Sequence, residues 1–231
     1  MGHSHTRAIA AAARDFPRPG LTFELLSLLE GRYWDESSIR LDTIREDAVA
    51  VPDVDYVVLI PWGNEPNALG LVAGERPFDF IMPGEEACEL LPGHEVVPVG
   101  LVRCTLERMT VPGLYEALTG LFNCPVFVLS TPPPIEDADY IVNHPGTARQ
   151  MIEGRRINNA ALRLKIWRLY CEITRNRCAK AGFNFVDVAP ENFGAGGFLS
   201  DRALAGDATH GNSWYGENMI EHLLEEIRSY A

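Results

Sequence analysis

Three short stretches carry residue types that could do chemistry together. Near the carboxyl end, Gly206-Asp207-Ala208-Thr209-His210-Gly211-Asn212 sets an aspartate three residues ahead of a histidine in a tight turn. That spacing can put both side chains on one side, where the carboxylate fixes the imidazole tautomer and stabilises its cation. The apolar run YVVLIP at 56–61 is followed by Trp62-Gly63-Asn64-Glu65-Pro66-Asn67, so Asn64 stands where a strand would stop. Its amide could aim a donor at a developing oxyanion. At the amino end Gly2-His3-Ser4-His5 runs straight into alanine-rich sequence, which would present Ser4 in a turn at a helix start. Each stretch also has a plainer reading. Asn and Gly are good turn residues, Asp is a common helix cap, and a His-containing opening is often a frayed terminus. Together, however, they supply a nucleophile, an oxyanion donor, an orienting carboxylate and a general base in the chain order Ser, Asp, His, an order that a parallel α/β sheet permits.

The elements that must position these residues alternate along the chain. Residues 6–15 favour helix, and Pro17 and Pro19-Gly20 stop them. YVVLIP and PVFVLS (125–130) are β-branched runs typical of buried parallel strands, the second ending against Pro132-Pro133-Pro134. Residues 156–181 have near-helical apolar spacing and Gly182 caps them, NFVDV at 184–188 is a further strand, and NSWYGENMIEHLLEEIRSYA is a closing helix. Strands alternating with helices imply right-handed βαβ units with helices on both faces of a parallel sheet, and a ligand site beyond the carboxyl ends of the strands. The Arg-rich face of 155–177, the segment Pro77-Phe78-Asp79-Phe80, His144 and the Asp137/Asp139 pair read as solvated face, loop packing at the mouth of the cleft, turn and solvent residues. The stretch 88–123 reads as helix-rich connection.

The three stretches, with CPVFVLSTPPPIED, resemble the SGNH (GDSL-type) hydrolases over most of the chain. GHSHTRAI is similar to that family's nucleophile block, YVVLIPWGNEPN to its asparagine block and GDATHGNSWYGENMIEHL to its Asp-x-x-His block. The resemblance implies Ser4 as nucleophile, His210 as base, Asp207 as its partner, and Asn64 with the Ser4 backbone N–H as oxyanion donors. It implies a three-layer αβα sandwich around a parallel, flavodoxin-like sheet, one domain over 1–231, hydrolysing acyl esters, often acetyl esters of sugars, without metal or cofactor. Trp62, Glu65 and Trp214 are the residues expected to touch substrate, and Trp34 and Tyr215 are further aromatics near the loops. GHS stands where the family has GDS, Trp62 stands where its asparagine block has glycine, and no glycine block is evident between the second and third strands. One oxyanion N–H is therefore unassigned. Only three residues precede Ser4 where the family has an inner strand, so the first strand is expected to be missing or truncated.

Composition sets the remaining expectations. The chain has 231 residues, enough for one sizeable core. With 20 Lys+Arg against 32 Asp+Glu the formal charge is -12, which disfavours nucleic acid and anionic membrane surfaces as partners. Five cysteines without a CxxC pair suggest neither a disulfide framework nor a zinc site, and no membrane span or leader is evident, so a cytoplasmic location is expected. The expected partner is a small-molecule ester, with an acetylated carbohydrate as one form. Two alternatives remain: a non-catalytic binding module of the same fold, and a metal-dependent hydrolase using His3-x-His5.

Overall fold

The computed structural model describes residues 1, 4–24, 27, 34–35, 38–50, 54–60, 63–84, 90–110 and 113–230. Helix α1 (Thr6–Asp15) is followed by a two-residue antiparallel pair, β1 (Trp34–Asp35) with β2 (Ser38–Ile39), and by α2 (Leu41–Val49). Strand β3 (Val57–Leu59) leads through α3 (Glu65–Gly70) to a short parallel pair, β4 (Phe78–Asp79) with β5 (Glu95–Val96). Helices α4 (Val99–Met109) and α5 (Leu114–Leu118) precede β6 (Val126–Leu129). Helices α6 (Ala138–Asn143), α7 (Arg149–Ile152) and α8 (Ala160–Ala181), strand β7 (Asn184–Val186) and α9 (Ser213–Tyr230) complete the chain.

The central sheet is parallel with order β3-β6-β7, so each connection crosses over through helices, as alternating strand and helix signals predict. All four residues of β6 are buried, and its successive side chains divide between two cores. Phe127 and Leu129 join Ala8, Tyr215, Met219 and Leu223 beneath α1 and α9. Val126 and Val128 join Ile44, Ala48, Leu114 and Cys178 beneath α2, α5 and the end of α8. Helices on both faces of one sheet make three layers. A third cluster, with Phe80, Leu106, Leu162 and Ile166, packs α4 and the 78–82 segment against α8.

Local chemistry sets the ends of the long helices. The Asn159 side chain accepts the Ala161 N–H at 2.8 Å and opens α8, and Gly182 at φ +73° closes it as the Phe183 N–H turns back to the Cys178 carbonyl. Helix α1 spans the expected 6–15. The 156–181 expectation is four residues long at its start, where Ile157 instead bridges to Val72.

Three further expectations are corrected. Pro77-Phe78-Asp79-Phe80 is not loop packing at the cleft: Phe78 and Asp79 are strand, and Phe80 and Asp79 are fully buried. The 155–177 segment is not simply a solvated face, since Arg163 and Lys165 are buried. Asp137 is exposed but also caps α6, accepting the Asp139 and Tyr140 N–H groups. At the sheet edge Met1 takes part of the place expected of an inner strand. Its amine donates to the Val58 carbonyl at 2.6 Å and its carbonyl accepts the Ile60 N–H at 2.9 Å, a one-residue parallel ladder opposite Leu59. Among the described residues no helix is long and apolar enough to cross a membrane.

Candidate active site

The loops that follow β3 and β6, the turn before α1 and the turn before α9 meet at the carboxyl ends of the central strands. In the last of these, Asp207 Oδ1 accepts the N–H groups of Thr209 and His210, each at 2.9 Å. Those two bonds hold the turn and leave Oδ2 to face the ring of His210, whose Nδ1 lies 2.9 Å away. Thr209 Oγ1 is also 3.2 Å from Nδ1. With Nδ1–H given to the carboxylate, Nε2 is the atom left to accept a proton.

Partial burial works against ionisation of Asp207. The hydrogen bond from His210, the N–H groups of Thr209 and His210 and the attraction of the imidazole outweigh it and hold the carboxyl at about 2. Gly146, at φ +53° in the Asn143-His144-Pro145-Gly146 turn, packs on this aspartate: a Cβ there would lie 2.6 Å from Asp207 Cβ.

Ser4 sits, partly exposed, in the turn before α1, where its carbonyl accepts the Arg7 N–H. Among the described residues its hydroxyl makes no hydrogen bond to His210. The link between them is His5, which is buried and whose ring centroid lies 4.8 Å from that of His210.

The loop after β3 is held from inside. Gly63, at φ +88°, is wedged against Thr131 and His5, and any Cβ would overlap Thr131 Cγ2. Its N–H donates to Glu65 Oε2 at 2.9 Å. Glu65, expected to touch substrate, is 5% exposed here and braces the loop from inside, with the Tyr170 hydroxyl also directed at it. Burial raises the Glu65 carboxyl above the usual range, against the opposing pull of the N–H groups and Tyr170. Because the Gly63 N–H is committed to Glu65, it does not supply the unassigned oxyanion donor. Asn64, at the start of α3, is exposed, and its Oδ1 accepts from Asn67 Nδ2 at 3.2 Å, so the amide N–H groups stay available.

Between these loops lies a narrow cleft of about 350 Å³ including its open mouth, walled by Gly63, Pro132, Pro133, Pro134, Trp167 and Thr209. Arg163 borders it, donating to the carbonyls of Ile135, Glu136 and Asn158 and so fixing the proline loop onto α8. Burial lowers its guanidinium to about 10, with Glu136 and Asp137 opposing. A wider hollow, about 800 Å³ including its open mouth, lies near Phe122, Cys124 and Tyr230 at the opposite end of β6, away from this chemistry.

The remaining expectations divide. Trp62 and His3 lie outside the described residues, as does the side chain of Trp34. The Trp214 ring is covered on one face by the Arg202 guanidinium, 4.5 Å from its centroid, and packs against the core, so its place is structural as much as substrate-facing. Among the described residues no three His, Cys, Asp or Glu side chains gather as a metal site. Sequence reasoning weighed His5 only as a metal ligand and passed over Gly63 and Thr209. The signal for the latter two was that each adjoins a residue already singled out.

No protein-family model matches the chain, and no curated protein does. Solved structures do. A Streptococcus pneumonia protein described as a platelet activating factor superposes with a TM-score of 0.55 at 12% identity, over 98% of this chain and 81% of that one. A Bacteroides fragilis protein described as an acylhydrolase gives 0.52 at 14% identity, over 100% and 85%. One from Agrobacterium tumefaciens described as an arylesterase gives 0.50 at 13%, over 99% and 96%. The likeness is one of architecture: the chain has the three-layer α/β fold of the SGNH (GDSL-type) hydrolases.

Proposed function

We propose that this protein is a serine ester hydrolase acting on small acyl esters, acetyl esters foremost. The observation that carries the reading is the Asp207–His210 pair, with its second imidazole nitrogen left open beside the turn that bears Ser4. His210 Nε2 takes the Ser4 proton as Oγ attacks the acyl carbonyl, and Asp207 stabilises the imidazolium so formed. The Asn64 amide and the Ser4 backbone N–H donate to the oxyanion of the tetrahedral intermediate. The alcohol leaves with the proton from His210, and water, activated by the same imidazole, releases the acid and restores Ser4.

The narrow proline-walled cleft supports a short acyl chain. An acetylated carbohydrate remains the proposed natural form of the ester. Catalysis on this scheme uses no metal.

The test is hydrolysis of p-nitrophenyl acetate, with and without EDTA, by this protein and by folded Ser4→Ala and His210→Ala variants. The expected result is indifference to EDTA and a loss of at least about a hundredfold in each variant. Full activity in the variants removes Ser4 and His210 from the mechanism. An inactive parent supports a binding-only module of the same fold.

A further inference from the structure

His5 follows the proposed nucleophile directly, yet it points inward and is only 5% exposed. Its ring meets the His210 ring at 4.8 Å between centroids and 47° between planes. Its other side abuts Gly63, where a Cβ would stand 3.2 Å from His5 Cδ2. One imidazole thus fills the space between the base and the loop that carries Asn64.

That placement bears on how His210 is oriented. Asp207 anchors the ring through Nδ1 alone. A hydrogen bond at one nitrogen fixes the distance and tautomer but leaves the ring free to roll about that bond. A general base must hold its proton-accepting atom within roughly 10–20° of the productive direction. The His5 ring supplies the missing constraint, because a buried ring packed against His210 limits the roll. Resting on the serine-hydrolase reading above, we propose that His5 is a positioning residue, whose ring, seated between Gly63 and His210, fixes the plane of the base imidazole so that Nε2 faces Ser4.

The ring works through its packing. Among the described residues the titratable groups near it include His210 itself, Asp207, bonded to His210, and Glu65, bonded to the Gly63 N–H. A second cation at His5 would stand directly against the imidazolium that His210 becomes in turnover. Ring shape is the property this packing uses, and a phenyl ring keeps it.

The experiment compares wild type with His5→Ala, His5→Phe and His5→Leu by steady-state kinetics on p-nitrophenyl acetate and by long-range proton–nitrogen NMR of the His210 ring. The expected result is that His5→Phe keeps kcat within about threefold, while His5→Ala and His5→Leu lose about tenfold or more in kcat with KM nearly unchanged. In the spectra, His210 holds one tautomer with a slowly exchanging Nδ1–H in wild type and His5→Phe, and averages in His5→Ala. His5→Leu keeps the volume filled, so the comparison with His5→Phe stands if the alanine variant does not fold. The proposal is overturned if a folded His5→Ala keeps wild-type kcat and tautomer, or if His5→Leu behaves as His5→Phe does. The two readings fail separately. Activity surviving in Ser4→Ala removes the serine mechanism, whereas the NMR comparison judges His5 without any turnover.

Discussion

Asp207 ties stability to pH in a way that can be measured. Its carboxyl is held at about 2 in the folded chain, against about 4 for a free aspartate. A depressed folded value means that its stabilising contribution is fully present above the unfolded value and is lost as pH falls from about 4 to about 2. Asp207→Asn should therefore flatten the acid limb of the melting temperature over that window, and a limb as steep as wild type would remove Asp207 as its source. The same variant should lose on the order of 10²–10⁴-fold in kcat, since an asparagine no longer stabilises the imidazolium and can favour the wrong tautomer. Asp207 and His210 were legible in the sequence because three residues of spacing let one turn bring them together without help from the rest of the fold. Glu65 was not. Its neighbours Gly63 and Asn64 suggested an exposed loop, and only Tyr170, more than a hundred residues away, and the packing of Gly63 on Thr131 turn it inward. The packing of His5 on His210 escaped the sequence for the same reason: that contact spans nearly the whole chain.

At the scale of elements, the placement of Ser4, the proposed nucleophile, relative to His210, the proposed base, depends on how α1 and α9 pack. Ser4 precedes α1 and His210 precedes α9, and the two helices run alongside one another from the same end, with Ala8 and Ala12 against Gly216 and Arg18 bonded to Glu221 at 2.6 Å. A Cβ on Gly216 would overlap the Ala8 carbonyl, so this glycine sets how closely the helices approach. Gly216→Val should force α1 outward, cost about 1–3 kcal/mol by overpacking and lower the melting temperature by about 3–10 °C. Because Ser4 moves with α1, kcat should fall more than KM changes. Unchanged kcat in a destabilised variant would show that the α1 turn adjusts independently of its helix. The alanine-rich α1 and the closing α9 were both readable from propensity and periodicity, as were the three central strands from their β-branched runs. Their crossing was not, because a glycine in a helical pattern marks close approach without naming the partner.

The whole molecule adds to the three-layer body an excursion that the sequence did not reveal. Residues 78–84 and 90–97 carry the β4/β5 pair beside that body, and a buried ion pair fastens it to α8. Lys165 Nζ lies 2.9 and 3.0 Å from the two Asp79 oxygens and also donates to the Phe80 carbonyl. Asp79 additionally accepts the Phe80 and Leu91 N–H groups, and although burial opposes its ionisation these partners hold its carboxyl below the usual range. This pair explains why the charge pattern of α8 was misread. One side of the helix sends Arg163 and Trp167 to the catalytic cleft, and another sends Leu162, Lys165, Ile166 and Leu169 under the excursion. Cations that look like a solvated face in sequence are thus inside the molecule. The two partners should not be equivalent when removed. Lys165→Met leaves a carboxylate that still receives two backbone N–H groups, whereas Asp79→Ala strands a buried ammonium with one carbonyl, a loss on the order of 3–5 kcal/mol. Thermal melts should therefore rank wild type above Lys165→Met and Lys165→Met above Asp79→Ala. Ester hydrolysis by either variant, measured well below its melting temperature, should keep the wild-type KM, because the pair faces away from the cleft. A melting temperature for Asp79→Ala equal to wild type would mean that the excursion is held by its apolar contacts alone, through Phe80 and Met82 against Leu162 and Ile166.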